Sequence, residues 1–288
     1  MNNSSQSITI HHQEFIYRDC ERYLTSVVSS NRPAIYHLDT GGSRVRMQVC
    51  LEISLSLGIH YDDAVRLAVT IELLHNASLI HDDIQDKDSV RRGAMAVWAK
   101  FGSSIAICTG DYLIAKAFGV LAEVSCSKSV PKLLEATQKA VTTTIEGQIA
   151  DLTAKEDIHR DEYEDIAAKK AGPLLALSLE LPLIVTEKHS DIQTARHAAF
   201  NLAVAYQILD DINDSAKDFK RGRPNLLNLN LNNSDKETAL KLTKNRAIYL
   251  IKSCERDLIR LPVGCQQSLG GVVRKLRAMA KEGLSEGQ

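Results

Sequence analysis

The sequence predicts an all-α fold, and three observations favour that fold class. Hydrophobic residues make up 44% of the 288 residues and aromatic residues only 5%, a balance typical of packed aliphatic helices. The six prolines leave long stretches of chain free of the strongest helix breaker. The segments 64–80 and 198–209 are apolar nearly all around a helical cylinder, which predicts two helices that are buried on every side.

The chain is expected to form a single domain, 1–288. Its length is enough for one large core, and it contains no fixed-period repeat and no low-complexity linker that would divide it. The segment 225–234 is the most loop-like internal stretch, although the spacing of its leucines leaves a short helix open. A helix is expected to begin near Tyr61 and to run through Asp86.

Charge and cysteine content exclude several classes of function. A formal net charge of −1 offers no basic field for nucleic acid or an anionic membrane, so neither is expected as a partner. The six cysteines form no C-x-x-C pair and are interpreted as reduced thiols. The segment 1–16 lacks the pattern of a secretory signal, and no apolar run reaches the ~18 to 20 residues that span a bilayer. We therefore expect a cytoplasmic enzyme without stable membrane insertion.

Two clusters of aspartates stand at the ends of the two apolar segments. Both have the pattern D-D-x-x-D: the first cluster consists of Asp82, Asp83 and Asp86, and the second cluster of Asp210, Asp211 and Asp214. Residues four apart on an α-helix lie one turn apart on one face, so the first and last acids of each cluster can bind a common ion.

Magnesium is the cofactor that this pattern predicts. Neighbouring carboxylates repel one another where an apolar helix carries them inward, and a cation relieves that repulsion. Magnesium takes oxygen ligands and bridges carboxylates to substrate phosphates, which makes a diphosphate the expected third party. Asp62 and Asp63 lack a third acid and are interpreted as helix-capping residues, so the second full copy of the pattern is what favours a functional site.

Further motifs follow in order along most of the chain. They are Gly41-Gly42-Ser43-Arg44-Val45-Arg46, the stretch HNASLIHDDIQDKDSVRRG from His75 to Gly93, Phe101-Gly102, Gly110-Asp111, Gly147-Gln148, Lys170, and YQILDDIND at 206–214. With this ordered set the chain resembles the trans-isoprenyl diphosphate synthase family, the polyprenyl synthetases, which include farnesyl and geranylgeranyl diphosphate synthases.

The resemblance implies an isoprenoid synthase helical bundle around a central cavity, usually as a homodimer, with the two clusters facing each other at the cavity mouth. It implies three magnesium ions, which draw charge from an allylic diphosphate until its C–O bond breaks. Isopentenyl diphosphate then traps the carbocation before a proton is lost. The implied function is that of a trans-prenyltransferase that condenses these two substrates.

The resemblance also implies a role for each matching residue. The residues implied for catalysis are Asp82, Asp83, Asp86, Lys170, Asp210 and Asp211, and all six aspartates are implied as metal ligands. Those implied to hold the allylic diphosphate are Arg91, Lys170 and Arg223. Those implied for the diphosphate of the acceptor are Arg46, His75 and Arg92. Gln207 is expected to donate a hydrogen bond near the metal site, with a buried structural amide as the alternative.

Three positions depart from the family pattern. Ser43 stands where the family usually has a lysine that contacts isopentenyl diphosphate, and Ala171 stands where a threonine usually follows Lys170. Gly222-Arg223 replaces the usual Gly-Lys and comes one residue early. Loss of a charged phosphate contact weakens binding by roughly 1.5 to 3 kcal/mol, so the acceptor is the substrate that these departures put in question.

Two alternatives to chain elongation stay open. One is an enzyme with the same ionisation chemistry but another outcome, either an aromatic (indole) prenyltransferase or a class I terpene cyclase. The other is a noncatalytic subunit of a heteromeric synthase, although both aspartate clusters are intact here. Elongation is favoured because Arg46, His75 and Arg92 are all present and few aromatic rings are available to stabilise migrating cations.

Product length is expected to depend on Ala77 and Ser78, five and four residues before Asp82. Bulky aromatic residues often occupy these positions in short-chain relatives. The small residues here predict an open cavity and a C20 product, geranylgeranyl diphosphate. A C15 or longer product stays open because deeper side chains such as Leu74 and Ile71 can close the cavity instead.

Overall fold

The computed structural model describes residues 16–155 and 157–282, and within them the protein is all-α apart from one short hairpin. The predicted fold class is confirmed. The segment 1–16 was expected to carry no secretory signal, and all of it except Ile16 lies outside the described residues.

The elements follow one another along the chain. The helices are α1 (16–27), α2 (Arg32–Asp39), α3 (Val45–Ser56), α4 (Tyr61–Gln85), α5 (Val97–Phe101), α6 (Ser103–Ala122), α7 (Val130–Thr153), α8 (Arg160–Val185), α9 (Ile192–Arg221), α10 (Leu226–Leu231), α11 (Lys236–Leu258) and α12 (Val263–Lys281). The hairpin pairs β1 (Val90–Arg91) with β2 (Ala94–Met95), and a 3-10 turn (His189–Asp191) precedes α9.

The described chain divides after Leu134 into two compact units, and α4 is the central helix of the first. It packs against α3, α5 and α6, and most of its side chains are buried, as an apolar pattern on all sides predicts. The helix ends at Gln85 with Asp86 as its C-cap. The first cluster therefore forms the last turn of α4.

The second unit has the same plan around α9, which packs against α8, α10, α11 and α12. Its buried positions include Ala198, Leu202, Ala205 and Leu209, in the segment predicted to be buried. The helix does not end at the second cluster, as its sequence pattern suggested, but continues to Arg221. The expectation of a single domain, 1–288, stays a prediction.

Helix α8 corrects the expectation that helices run between prolines, because Pro173 and Pro182 both lie inside it. An internal proline removes one backbone hydrogen bond and costs roughly 3 kcal/mol or more. Every residue from Gly172 to Ile184 is buried, so tertiary packing offsets that cost. The loop-like segment 225–234 likewise contains the short helix α10.

Helix α6 is the one helix in the described ranges that is long and apolar enough to cross a membrane by length and composition. No such run was expected, because Asp111 and Lys116 interrupt it, but these two charges leave the segment apolar on average. The helix packs against α4 and α5, and 39% of its most apolar stretch is buried inside the protein.

The hairpin after α4 reverses the chain at Arg92 and Gly93. The register pairs Val90 with Met95 and Arg91 with Ala94, which leaves a two-residue loop. Both loop residues have positive φ, 53° for Arg92 and 78° for Gly93, as a type I′ turn requires. Arg91 therefore lies in a strand while Arg92 stands at the tip of the turn.

Candidate active site

The first cluster separates its three acids by exposure. Asp82 and Asp86, one turn apart, are half-buried, whereas Asp83 is 0% exposed. Two carboxylates thus reach the surface of the first unit together, and the third is turned inward.

Asp83 is held by Arg91 from the hairpin. The Nε of Arg91 donates to Oδ1 of Asp83 at 2.9 Å, and its Nη2 donates to the same oxygen. Burial raises the pKa of Asp83 above its usual range, and the hydrogen bond and positive charge of Arg91 oppose that rise. Arg91 was predicted to bind the allylic diphosphate, and the structure places it on a buried carboxylate beside the two open acids.

A group of basic residues lies near the start of α3 and on α4. Arg46 and His75 lie 3.4 Å apart, measured from Nη1 to Nε2. Burial lowers the pKa of His75 well below its usual range, and the positive charges of Arg46 and Arg92 lower it further. His75 is therefore neutral at physiological pH. The three residues predicted to bind the acceptor diphosphate share one positive environment.

Arg44 is buried beside this group but is neutralised by carboxylates. Its Nε donates to Glu21 at 2.8 Å, its Nη1 to Glu72 at 2.9 Å, and its Nη2 to the carbonyl oxygen of Leu38 at 3.1 Å. Ser43, its neighbour, is exposed and carries no charge. Arg46 and Arg92 are the other two arginines of this group, and they contact His75 and the carbonyl oxygen of Gly41.

The second cluster buries its middle acid as well. Asp211 is 1% exposed and accepts hydrogen bonds from the hydroxyl of Tyr163 at 2.6 Å, the amide of Leu226 at 2.7 Å and Nε2 of Gln207 at 3.1 Å. Burial raises the pKa of Asp211 to about 7, and the three hydrogen bonds limit the rise. Asp210 and Asp214, one turn apart, are half-buried.

One cavity in the second unit brings four of the predicted residues together. Lys170, Gln207, Asp211 and Arg223 all line it. Asp151, Tyr163 and Asp218 line the same cavity, and Nζ of Lys170 donates to Asp151 at 2.6 Å. Two cations and three carboxylates share this opening, so a phosphate group would bind here together with a metal ion that offsets the acids.

Gly147 sets the distance between α7 and α8 at this cavity. A Cβ atom on Gly147 would lie 2.5 Å from both the carbonyl carbon of Lys169 and the backbone nitrogen of Lys170. The close approach brings Asp151, one turn further along α7, within reach of Lys170.

Comparison with known proteins decides the family. The polyprenyl synthetase family model matches residues 28–225, which is more than half of the chain. The chain belongs to this family. It is 33% identical over 199 residues to a geranylgeranyl pyrophosphate synthase of Geoglobus acetivorans, an alignment that covers 67% of this chain and 61% of that relative. It is 31% identical over 250 residues to a geranylgeranyl diphosphate synthase of Sulfolobus acidocaldarius, covering 84% of this chain and 74% of the relative.

Solved structures of polyprenyl synthetases share the fold. A geranylgeranyl pyrophosphate synthetase from Pyrococcus horikoshii superposes with a TM-score of 0.81 at 24% identity, covering 95% of this chain and 99% of that one. A polyprenyl synthase from Caulobacter crescentus, solved with calcium and isoprenyl diphosphate, has a TM-score of 0.81 at 21% identity, covering 94% and 96%.

Three polar residues of this polyprenyl synthetase were not found by sequence reasoning. Asp218 follows Asp214 by one helical turn, so the extension of the D-D-x-x-D pattern was visible in the sequence. Tyr163 and Asp151 carry no such signal, because their contacts with Asp211 and Lys170 join α8 to α9 and α7 to α8.

Asp63 accepts a hydrogen bond from the backbone amide of Ser125 at 2.9 Å, outside its own helix, so its predicted role as a helix cap is wrong.

The two positions expected to set product length differ in burial. Ala77 is 1% exposed and packs inside the first unit. Ser78 is half-buried, lies one turn before Asp82, and donates its hydroxyl to the carbonyl oxygen of His75 at 2.8 Å. Of the two, Ser78 shares the face of the open acids.

The donor set fits magnesium better than a metal held by protein alone. Within 16–155 and 157–282, no three His, Cys, Asp or Glu side chains converge closely enough to hold a metal ion. Each cluster instead offers two half-buried carboxylates one turn apart. Magnesium is commonly bound by one or two carboxylates, with water and substrate phosphate completing its shell.

Proposed function

We propose that this polyprenyl synthetase is a magnesium-dependent short-chain trans-prenyltransferase that condenses an allylic diphosphate with isopentenyl diphosphate. The observation that carries the proposal is the cavity in which Lys170 and Arg223 meet Gln207 and Asp211 of the second cluster. The named relatives, two of which are geranylgeranyl synthases, support the same reaction and a C20 product.

Magnesium, of which the resemblance implies three ions, would supply positive charge for the departing diphosphate. Asp82 and Asp86 of the first cluster and Asp210 and Asp214 of the second would hold the metal through their open carboxylates. Lys170 and Arg223 would stay with the leaving diphosphate as the allylic C–O bond breaks, because their charges already line its cavity. A C–C bond forms with the acceptor, and a proton is then lost.

Arg46 and Arg92 would bind the diphosphate of the acceptor. His75, kept neutral by burial and by its basic neighbours, would donate a hydrogen bond and add no charge. Ser43 leaves this site with one cation fewer than the resembled family, an observation that favours a different acceptor as the second candidate function.

A homodimer is part of the proposal, and α7 supplies its support. Ile145, Ile149 and Leu152 lie on one face of this helix and are exposed by 49%, 57% and 45%. A contiguous aliphatic face of this kind suits a subunit interface. The six free cysteines support placement in a reducing compartment such as the cytoplasm.

The test is a turnover assay with farnesyl diphosphate and magnesium, with and without isopentenyl diphosphate, followed by mass analysis of the products. A C20 prenol that forms only with both substrates and disappears with a chelator is expected. A cyclic hydrocarbon from farnesyl diphosphate alone would establish a cyclase, and an inert protein would refute the proposal.

Neighbouring lysines provide a matched control. Lys170→Gln removes a cation from the cavity and is expected to lower kcat/KM about a hundred-fold, in line with the loss of one charge-stabilising group. Lys169→Gln makes the same change one residue earlier, where the side chain pairs with Asp165 at 2.6 Å on the surface, and is expected to stay within about two-fold of wild type. An equal fall in kcat/KM for the two variants would show that the cavity does not take part in the reaction.

A further inference from the structure

Arg92 and the loop Gly41-Gly42 are in direct contact in the first unit. The Nη1 of Arg92 donates to the carbonyl oxygen of Gly41. A Cβ atom on Gly42 would lie 2.7 Å from Cζ of Arg92, 2.8 Å from Nη2 and 2.9 Å from Nη1. Because these atoms are almost equidistant from that point, the guanidinium plane lies flat over the side of Gly42 on which any other residue carries its side chain.

Gly41 and Gly42 differ in the reason that each is a glycine. Both have positive φ, +82° for Gly41 and +136° for Gly42. A Cβ on Gly41 would meet nothing within 4 Å, so backbone conformation alone accounts for it. Gly42 has the same conformational requirement, and in addition the guanidinium of Arg92 occupies the space where a side chain would be.

The other end of Arg92 is fixed as well. Its backbone stands at the tip of the two-residue hairpin turn, with φ of 53°. Its charge reaches the acceptor site, since it helps to lower the pKa of His75. The loop thus contacts the guanidinium of Arg92, while the hairpin turn fixes its backbone.

We propose that Gly42 is a positioning residue for the acceptor diphosphate, because its missing Cβ lets the Arg92 guanidinium lie on the loop and bond Gly41. The inference rests on the proposed function, in which Arg92 binds that diphosphate. Ser43 is exposed and uncharged, so the loop acts on the anion through the arginine that it holds.

An alanine at Gly42 displaces the guanidinium. Carbon atoms in contact lie about 3.5 to 4.0 Å apart, so the head of Arg92 must move by about 1 Å from the place that the loop gives it. The head is the end of a flexible side chain and moves aside, whereas the positive φ of Gly42 adds a backbone strain that is the same with or without Arg92. We expect KM for isopentenyl diphosphate to rise about ten-fold, as for one weakened charged hydrogen bond, with KM for the allylic substrate unchanged.

The experiment compares Gly42→Ala, Gly41→Ala, Arg92→Ala and the double variant Gly42→Ala/Arg92→Ala in the full chain. Gly41→Ala reports the cost of a side chain at positive φ where no atom of Arg92 occupies the space of the added Cβ. The expected result is a rise in KM for isopentenyl diphosphate that is larger for Gly42→Ala than for Gly41→Ala. In the Arg92→Ala background the Gly42 change should add nothing.

Equal effects of the two glycine variants, or a full further rise in the Arg92→Ala background, would overturn the inference. Calorimetric binding of inorganic diphosphate to the same four variants separates this failure from that of the proposed function. If the wild type does not turn over isopentenyl diphosphate, the proposed function fails. The dependence of diphosphate affinity on Gly42 only when Arg92 is present would still decide the positioning role.

Discussion

The two aspartate clusters share a pattern but bury their middle acid by different means. Each places its first and last acids half-buried on one helical face and turns the second inward. In the first cluster a cation, Arg91, holds Asp83. In the second cluster neutral donors hold Asp211, namely a phenol, a side-chain amide and a backbone amide.

This difference separates two ways of offsetting the cost of a buried carboxylate. A paired cation compensates the charge itself, whereas neutral donors compensate only the lost hydrogen bonds with water. Asp211 therefore has a pKa near the neutral range, about 7, and its charge depends on pH. The substitutions below act first on the features that the clusters share and then on those that distinguish them.

Removal of an open acid is expected to have the largest effect. Asp82→Asn and Asp210→Asn each take away a carboxylate of the proposed metal site, and kcat should fall about a thousand-fold, as when a group that stabilises developing charge is lost. Steady-state turnover with both substrates measures this. Asp62→Asn, an exposed acid in the first turn of α4, is the matched control. Comparable activity of all three variants would contradict the assignment.

Removal of the groups that hold the buried acids should affect stability unequally. Arg91→Ala leaves a buried carboxylate without its cation and is expected to lower the free energy of unfolding by about 2 to 3 kcal/mol. Tyr163→Phe removes one neutral donor of three and should cost about 1 kcal/mol. Urea denaturation measures both.

The double variant Arg91→Ala/Asp83→Asn tests the physical reason for this difference. It has no buried charge left, so it should be more stable than Arg91→Ala alone. If it is less stable, charge compensation is not what holds Asp83.

The pKa of Asp211 predicts a dependence of stability on pH in the magnesium-free protein. Its pKa is about 7 in the folded state against a usual 3.8 for an aspartate, so between these limits the folded state binds a proton that the unfolded state has released. Stability should therefore fall as pH rises from about 4 to 7, by at most roughly 1.4 kcal/mol per pH unit from this group. Asp211→Asn should flatten that part of the curve, and an unchanged slope would refute the assignment.

The smallest expected effects are changes in product length, in opposite directions for substitutions on α4 and α9. Ser78 lies one turn before Asp82 on α4, and Tyr206 lies one turn before Asp210 on α9, where it is 52% exposed. Because each side chain precedes the first open acid of its own helix, Ser78→Tyr should shorten the product and Tyr206→Ser should lengthen it, each by about one isoprene unit. Ala77→Phe is expected to shorten it too, but at a cost of about 1 to 3 kcal/mol because Ala77 is buried. If mass analysis finds the same product for all three variants, other residues set product length.

Local spacing predicted which acids lie together on an open helical face, whereas the partners of the buried acids come from contacts distant in sequence. Asp82 with Asp86, and Asp210 with Asp214, share a face because a helix repeats every 3.6 residues, which the sequence displays directly. Apolar residues on all sides of α4 and α9 likewise predicted central helices, and both are central to their units.

The remaining contacts were not visible in the sequence. Tyr163 reaches Asp211 across 48 positions, and nothing in the spacing of either residue marks the other. Arg91 and Arg92 were assigned to two different diphosphates, but their contacts were not predicted: the turn at Arg92-Gly93 sends one to Asp83 and the other to Gly41. Gly93 after Arg92 was the available signal, because a type I′ turn favours glycine there.

Pro173 leaves one backbone hydrogen bond of helix α8 unmade. Proline has no amide hydrogen to give to the carbonyl oxygen four residues earlier, which here belongs to Lys169. The same residue's backbone is the one that Gly147 allows α7 to approach. The carbonyl group of α8 that lacks a helical partner therefore lies where α7 packs against α8, directly before Lys170.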